Sequence, residues 1–173
     1  MRLFFAINFN RETKRELLAL CDELREASSR GRFTLPENLH LTLAFLGECD
    51  AKQTAVTKAV MDSVSFSPFD LEIDRIGRFK RNVGDIWWAG VRENRVLQEL
   101  HRNLTAGLSA NGFICEERKY SPHITLGREI TTKTQPRQIN PFGETVSQIE
   151  LMKSERIGGK LTYTAISTKG AEK

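Results

Sequence analysis

Cysteine is scarce in this chain, with Cys21, Cys49 and Cys115 the only three. An odd count without a Cys-x-x-C spacing argues against a disulfide framework and against a cysteine-built zinc site, and a reducing cytoplasm is the expected setting. Long hydrophobic runs are missing as well. The opening stretch Met1-Arg2-Leu3-Phe4-Phe5-Ala6-Ile7-Asn8-Phe9 is too short for a membrane span and lacks a signal-peptide cleavage pattern, so it reads as a buried first strand and no membrane association is expected. No tail or low-complexity tract interrupts the sequence. Charge of one sign is only mildly in excess: Lys and Arg outnumber Asp and Glu by 26 to 22, for a net +4 and a pI near 9.1. That lean favours anionic partners such as RNA but does not by itself identify one.

What remains is an ordinary globular composition, 39% apolar and 28% charged over 173 residues. This is enough chain to bury a real core as one domain or as two small lobes. Within it the sequence repeats itself. His40-Leu41-Thr42-Leu43 and His123-Ile124-Thr125-Leu126 share the pattern His, apolar, Thr, Leu, at an offset of 123 − 40 = 83 positions. The same offset sets Leu3-Phe4-Phe5-Ala6 against Ile86-Trp87-Trp88-Ala89, two runs with the look of buried strands. Each half also carries an amphipathic helix, marked by Leu17, Cys21 and Leu24 in one and by Leu97, Leu100, Leu104 and Leu108 in the other. Turn-prone residues follow each helix, Ser28-Ser29-Arg30-Gly31 and Ser109-Ala110-Asn111-Gly112, and Pro36 and Pro122 precede the histidines. A further helix is expected over Lys52–Val64, with strands around Phe69–Ile73 and Ile149–Met152.

This order predicts an α+β fold. Two pseudo-symmetric lobes, each an antiparallel sheet with helices on its outer face, would pack about a two-fold axis with a cleft between them, as a single domain over residues 1–173. Equivalent positions would then meet, bringing His40 and His123 together across the cleft. On a strand the side-chain period is two, so each His and its Thr share one face while Leu41, Leu43, Ile124 and Leu126 turn to the other. Packing specifies the apolar face. It does not specify a repeated His and Thr on the opposite one.

Histidine suits proton transfer because its ordinary pKa, about 6.5, lets one copy be neutral and another charged near neutral pH. One imidazole can take the proton of an attacking water while the other protonates the departing oxygen, each worth roughly 10²–10⁴-fold. In-line displacement at phosphorus needs these groups on opposite sides of the phosphate. Thr42 and Thr125, with Arg128 nearby, would serve the remaining oxygens. Two histidines without a neighbouring carboxylate at ligand spacing leave a transition metal short of ligands, so no metal and no cofactor are expected. A nucleophilic serine is equally unsupported, since no Gly-x-Ser-x-Gly occurs. His101, inside an amphipathic helix, reads as a surface or structural residue.

Pro36-Glu37-Asn38-Leu39-His40-Leu41-Thr42-Leu43-Ala44-Phe45-Leu46-Gly47 and Tyr120-Ser121-Pro122-His123-Ile124-Thr125-Leu126-Gly127-Arg128 together resemble the paired motifs of the two-histidine phosphoesterase superfamily. Within it they are similar to the bacterial and archaeal RNA 2′,3′-cyclic phosphodiesterases, also described as 2′-5′ RNA ligases. The resemblance implies metal-independent hydrolysis of an RNA 2′,3′-cyclic phosphate to a 2′-phosphomonoester, and a reverse joining to a 5′-hydroxyl end, as between tRNA halves. It implies His40 as the acid on the departing 3′ oxygen, His123 as the group that activates water, and Thr42, Thr125 and Arg128 as phosphate contacts. Phe45 is matched to a nucleobase-stacking position. Strict alternation, however, sends Phe45 and Arg128 to the face opposite the histidines, so both roles require a bulge or bend, for which Gly127 offers room.

Two other substrates keep the same site, a small cyclic nucleotide and a cyclic phosphate on an ADP-ribose derivative, and a non-catalytic RNA-binding module is the reading from another class. The basic run Arg78, Lys80 and Arg81 is either an RNA backbone guide or a solvated loop. No partner-binding surface is evident, so a monomer is expected.

Overall fold

Each helix begins where a side chain can satisfy its free backbone N–H groups. Asn10 caps α1 (Arg11–Glu26) by accepting from the Thr13 N–H at 2.8 Å, and Asn94 caps α3 (Arg95–Ala110) by accepting from the Leu97 N–H at 3.0 Å. Asp50 and Gln53 form a reciprocal capping box at the start of α2 (Ala51–Ser63). The apolar stripes expected from the spacing, Leu17, Cys21 and Leu24 on α1 and Leu97, Leu100, Leu104 and Leu108 on α3, are all buried. Each leucine so buried contributes roughly 1.5–3 kcal/mol.

The computed structural model describes residues Met1–Lys173. Its strands are β1 (Arg2–Asn8), β2 (Ser28–Phe33), β3 (His40–Glu48), β4 (Phe69–Phe79), β5 (Asp85–Val91), β6 (His123–Thr132), β7 (Arg137–Val146), β8 (Gln148–Ile157) and β9 (Lys160–Gly170). All pairings are antiparallel, in the order β7-β4-β5-β6-β3-β1-β8-β9, with β2 added on β6. The α+β architecture is therefore as expected, while the two expected sheets are joined into one. The join is narrow: β3 and β6 share a single registered pair, Leu41 with Ile124.

The helices do not stay with their own halves. α1 packs on β2, β6 and β7, and α3 on β3, so one apolar cluster of 32 buried residues runs beneath both halves. Ser28–Gly31, expected as a turn, is instead the start of β2, because the edge of β6 there offers backbone partners such as Thr132 for Ser28. Pairing across the sheet outweighs the local turn preference of those residues.

The ladders also correct the repeat. Phe5 pairs with Ala44 and Ala6 with Thr42; Trp87 pairs with Gly127 and Trp88 with Thr125. The histidine strands keep their offset of 83, but the strands beside them correspond at 87 − 5 = 82. The difference matters because one residue exchanges the two faces of a strand. Phe5 and Trp87, both fully buried, are the equivalent core residues, and Ala6 and Trp88 are the equivalent residues on the histidine face.

Trp88 lies over Gly77 of β4, where a Cβ would overlap its ring. Overpacking of this kind typically costs about 1–3 kcal/mol. Gly77→Ala is expected to lower stability by that amount in denaturant unfolding monitored by tryptophan fluorescence, and an unchanged midpoint would contradict this packing.

Candidate active site

The single β3–β6 pair is the centre of the site. Antiparallel strands carried one residue further in each direction from Leu41 and Ile124 set His40 across from Thr125 and Thr42 across from His123. The apolar pair points into the core, both members fully buried, and the four polar side chains share the other face. The two histidines are then diagonal neighbours, a relation that separates side chains by roughly 7–8 Å in a regular antiparallel pair.

Each imidazole is held in the same way. His40 Nδ1–H donates to the Asn38 carbonyl at 2.7 Å and His123 Nδ1–H to the Ser121 carbonyl at 2.8 Å, each two residues upstream. A carbonyl can only accept, so Nδ1 carries the proton and Nε2 is the nitrogen left for chemistry. Aromatic rings flank both imidazoles: Tyr163 meets His40 edge-on at 5.2 Å and Phe79 meets His123 edge-on at 5.2 Å, with Phe4 tilted 5.0 Å from His40 and Trp88 tilted 6.3 Å from His123. The environments are not identical, since the Thr42 hydroxyl lies 2.9 Å from His40 Nε2 and donates to it when the ring is neutral. Burial pushes the His40 pKa below its ordinary value, and His123 when protonated, Arg128 and Lys14 push the same way; the Asn38 carbonyl opposes them.

A matching pair of β-bulges reverses the expectation from strict alternation. Between the pairs Phe5–Ala44 and Ala6–Thr42 the β3 strand carries Leu43 as an extra residue, and between Trp87–Gly127 and Trp88–Thr125 the β6 strand carries Leu126. Leu43 and Leu126 are equivalent, 126 − 43 = 83, and both are buried. Beyond each bulge the alternation is reset. Phe45 therefore stands opposite Phe4, with rings 6.0 Å apart, on the His40 face and 67% exposed. Arg128, the equivalent residue of the second half, is likewise returned to the histidine face, exposed, and close enough to act electrostatically on His40 and Tyr163. No ion pair in the chain uses it. Gly127 has no room for a side chain, since a Cβ would meet Ile130 at 2.7 Å and the Arg32 carbonyl at 2.9 Å.

Sequence reasoning missed Phe4, Tyr163, Phe79 and Trp88 as neighbours of the imidazoles. Phe4 and Trp88 come from the strands beside β3 and β6, and Phe79 and Tyr163 from strands two and three places away in the sheet order; no local signal links any of them to the motifs. The basic run is divided. Arg78 pairs with Asp85 at 3.5 Å and lies over Trp87, leaving Lys80 and Arg81 exposed on the β4–β5 hairpin beside Phe79. No group of three or more His, Cys, Asp or Glu side chains is placed to hold a metal ion, and no helix is long and apolar enough to cross a membrane.

An antiparallel sheet with three helices, and two His-x-Thr strands meeting at its centre, defines a two-histidine phosphoesterase. Comparison with known proteins agrees: residues 7–88 match the family model described as LigT like Phosphoesterase. An RNA 2′,3′-cyclic phosphodiesterase of Thermotoga maritima is 35% identical over 131 residues, 74% of this chain and 70% of the relative. Among solved structures, a phosphoesterase superposes with a TM-score of 0.85 at 28% identity, covering 99% of this chain and 98% of the other. The Escherichia coli LigT complexed with 3′-AMP gives 0.83 at 28% identity with the same coverage. The chain belongs to the LigT-like phosphoesterase family and is an enzyme of that kind.

Proposed function

We propose that this protein hydrolyses the 2′,3′-cyclic phosphate of an RNA end to a 2′-phosphomonoester, with His40 and His123 as the proton-transferring pair. The observation that carries this reading is the placing of two Nε2-presenting imidazoles on either side of one ladder pair. The names of the relatives supply the substrate class. In the reaction His123 takes a proton from water as its oxygen bonds to phosphorus. The bond from phosphorus to the 3′ oxygen breaks, and the His40 imidazolium gives that oxygen its proton. Thr42, Thr125 and Arg128 hold the remaining phosphate oxygens, and Phe45 offers a face to the terminal base. With an RNA 5′-hydroxyl in place of water as the nucleophile, the same steps form a 2′-5′ linkage: the hydroxyl gives its proton to His123 as its oxygen bonds to phosphorus, and the 3′ oxygen leaves with a proton from His40. The correspondence of β1 with β5, α1 with α3 and β3 with β6 supports reading the chain as one domain made by internal duplication.

A short RNA carrying the cyclic end, incubated with the protein and EDTA, should yield a 2′-phosphate and a free 3′-hydroxyl. Binding without turnover would reject the catalytic reading. Turnover confined to small cyclic nucleotides would move the substrate class.

The pKa of His40 makes a second result predictable. Burial holds it low, and an anion between the imidazoles favours the charged ring and raises it. Binding must then take up a proton at any pH between the free and bound values, and affinity must fall as pH rises through that window. Sulfate is a suitable probe because it does not itself titrate there. Calorimetry in buffers of different ionisation enthalpy should show net proton uptake and tighter sulfate binding at pH 6 than at pH 7.5. Uptake of no proton, with flat affinity, would show that the anion does not sit against His40.

A further inference from the structure

The spacing of the two histidines is the quantity on which the reaction geometry depends, yet the sheet itself constrains it weakly. Every other neighbouring pair of strands in the sheet shares at least four registered pairs, whereas β3 and β6 share only Leu41 with Ile124. Two hydroxyls cross this junction in opposite directions. Tyr120, three residues before His123, donates from Oη to the carbonyl of Thr42 at 2.9 Å. Thr34, six residues before His40, donates from Oγ1 to the carbonyl of Thr125 at 2.8 Å, and its N–H donates to the Leu126 carbonyl at 2.9 Å. Each motif threonine is thus gripped, by its backbone, by the segment that leads into the opposite histidine.

The Tyr120 strap is itself braced. Its ring stacks face to face on His101 of α3, with centroids 3.8 Å apart and planes 1° from parallel. Burial raises the Tyr120 pKa, so the phenol keeps the proton it donates, and burial with Arg102 nearby lowers that of His101. The third histidine of the chain is therefore a structural support reaching the site through Tyr120 and Thr42.

We propose that Tyr120 and Thr34 are positioning residues that set the separation of His40 and His123 through reciprocal hydrogen bonds to the carbonyls of Thr42 and Thr125. This rests on the two-histidine reading of function. A displacement of about 1 Å at a reacting group can cost on the order of a hundred-fold in rate, so loss of one strap, with the ladder pair intact, should cost about ten-fold. Tyr120→Phe keeps the ring and its stacking, and Thr34→Val keeps the shape of threonine; each removes only the donor.

Turnover of a short cyclic-phosphate RNA per folded molecule should fall about ten-fold in each variant, with KM within about two-fold of wild type and Thr34→Ser restoring the rate. Wild-type kcat in Tyr120→Phe and Thr34→Val, even with a lowered melting temperature, would reduce the straps to ordinary stabilising contacts and overturn the proposal. An NMR titration without substrate decides the same point if the wild type proves inactive on RNA, a result that would count against the functional reading alone. His123→Asn should raise the His40 midpoint in the wild-type background and raise it less in Tyr120→Phe, because the rings have moved apart. An equal rise in both backgrounds would overturn the proposal.

Discussion

His40→Ala and His123→Ala are each expected to lower turnover of a cyclic-phosphate RNA end by roughly 10²–10⁴-fold while the protein stays folded. The loss is large because the two rings serve one displacement: without the base the water is a poor nucleophile, and without the acid the 3′ oxygen departs as an unprotonated alkoxide. Removing both should therefore cost little more than removing one, as is general for groups that act as a unit. Folding should survive because neither ring is in the core. Both imidazoles lie half-buried on the face opposite the fully buried Leu41 and Ile124. His40 is the more enclosed, between Phe4 and Tyr163, and its removal leaves the Thr42 hydroxyl without its partner, so a small loss of stability is expected for His40→Ala. The two effects are separated by measuring kcat beside the melting temperature. A single variant retaining near wild-type turnover would contradict the paired mechanism.

The second large effect comes from residues that occupy equivalent places and have opposite chemistry. Phe45 and Arg128 both follow their histidine by five positions, and both are returned to the histidine face by a bulge. Arg128, without a carboxylate partner, is free to meet phosphate oxygens, and loss of a donor aimed at developing charge typically costs 10²–10³-fold. Because Arg128 is exposed, the lower end applies, and Arg128→Ala should reduce kcat/KM by about 10²-fold. Phe45 touches no reacting group. Base–aromatic stacking is worth roughly 1–3 kcal/mol, so Phe45→Ala should raise KM for RNA about ten-fold with kcat nearly unchanged. The same substitution should leave sulfate binding as it was. A fall in kcat for Phe45→Ala, or a change confined to KM for Arg128→Ala, would exchange or remove these roles.

The contrast between these residues and the histidines shows what periodicity can reveal. His40, Thr42, His123 and Thr125 could be placed from the sequence because they lie before either bulge, where alternation holds, and because the motif occurs twice. Phe45 and Arg128 lie beyond the bulges, so strict alternation put them on the wrong face. The hints were small residues, Ala44 and Gly127, but a small residue alone does not reveal that a strand carries one residue more than its partner. The same limit explains the one-residue error in aligning β1 with β5. The aromatic runs looked equivalent at an offset of 83, while the ladders, which the sequence does not contain, require 82. β2 departs from the expected turn for a related reason: Ser28-Ser29-Arg30-Gly31 has turn chemistry, and only the open edge of β6 draws it into a strand. Helices α1 and α3, by contrast, are legible from the spacing of their apolar residues. Their crossing onto the opposite half is not, because an amphipathic stripe records that a helix is covered without recording which strand covers it.

The account stands or falls on whether both Nε2 atoms address one phosphorus. The most direct measurement is a crystal structure with a nucleoside 2′,3′-vanadate, whose five-coordinate vanadium mimics phosphorus in mid-displacement. The predicted result has His40 and His123 each within hydrogen-bond reach, about 2.6–3.2 Å, of opposite apical oxygens. A complex in which one imidazole meets the vanadate and the other is turned away, or in which the ligand binds outside the β3–β6 junction, would contradict it.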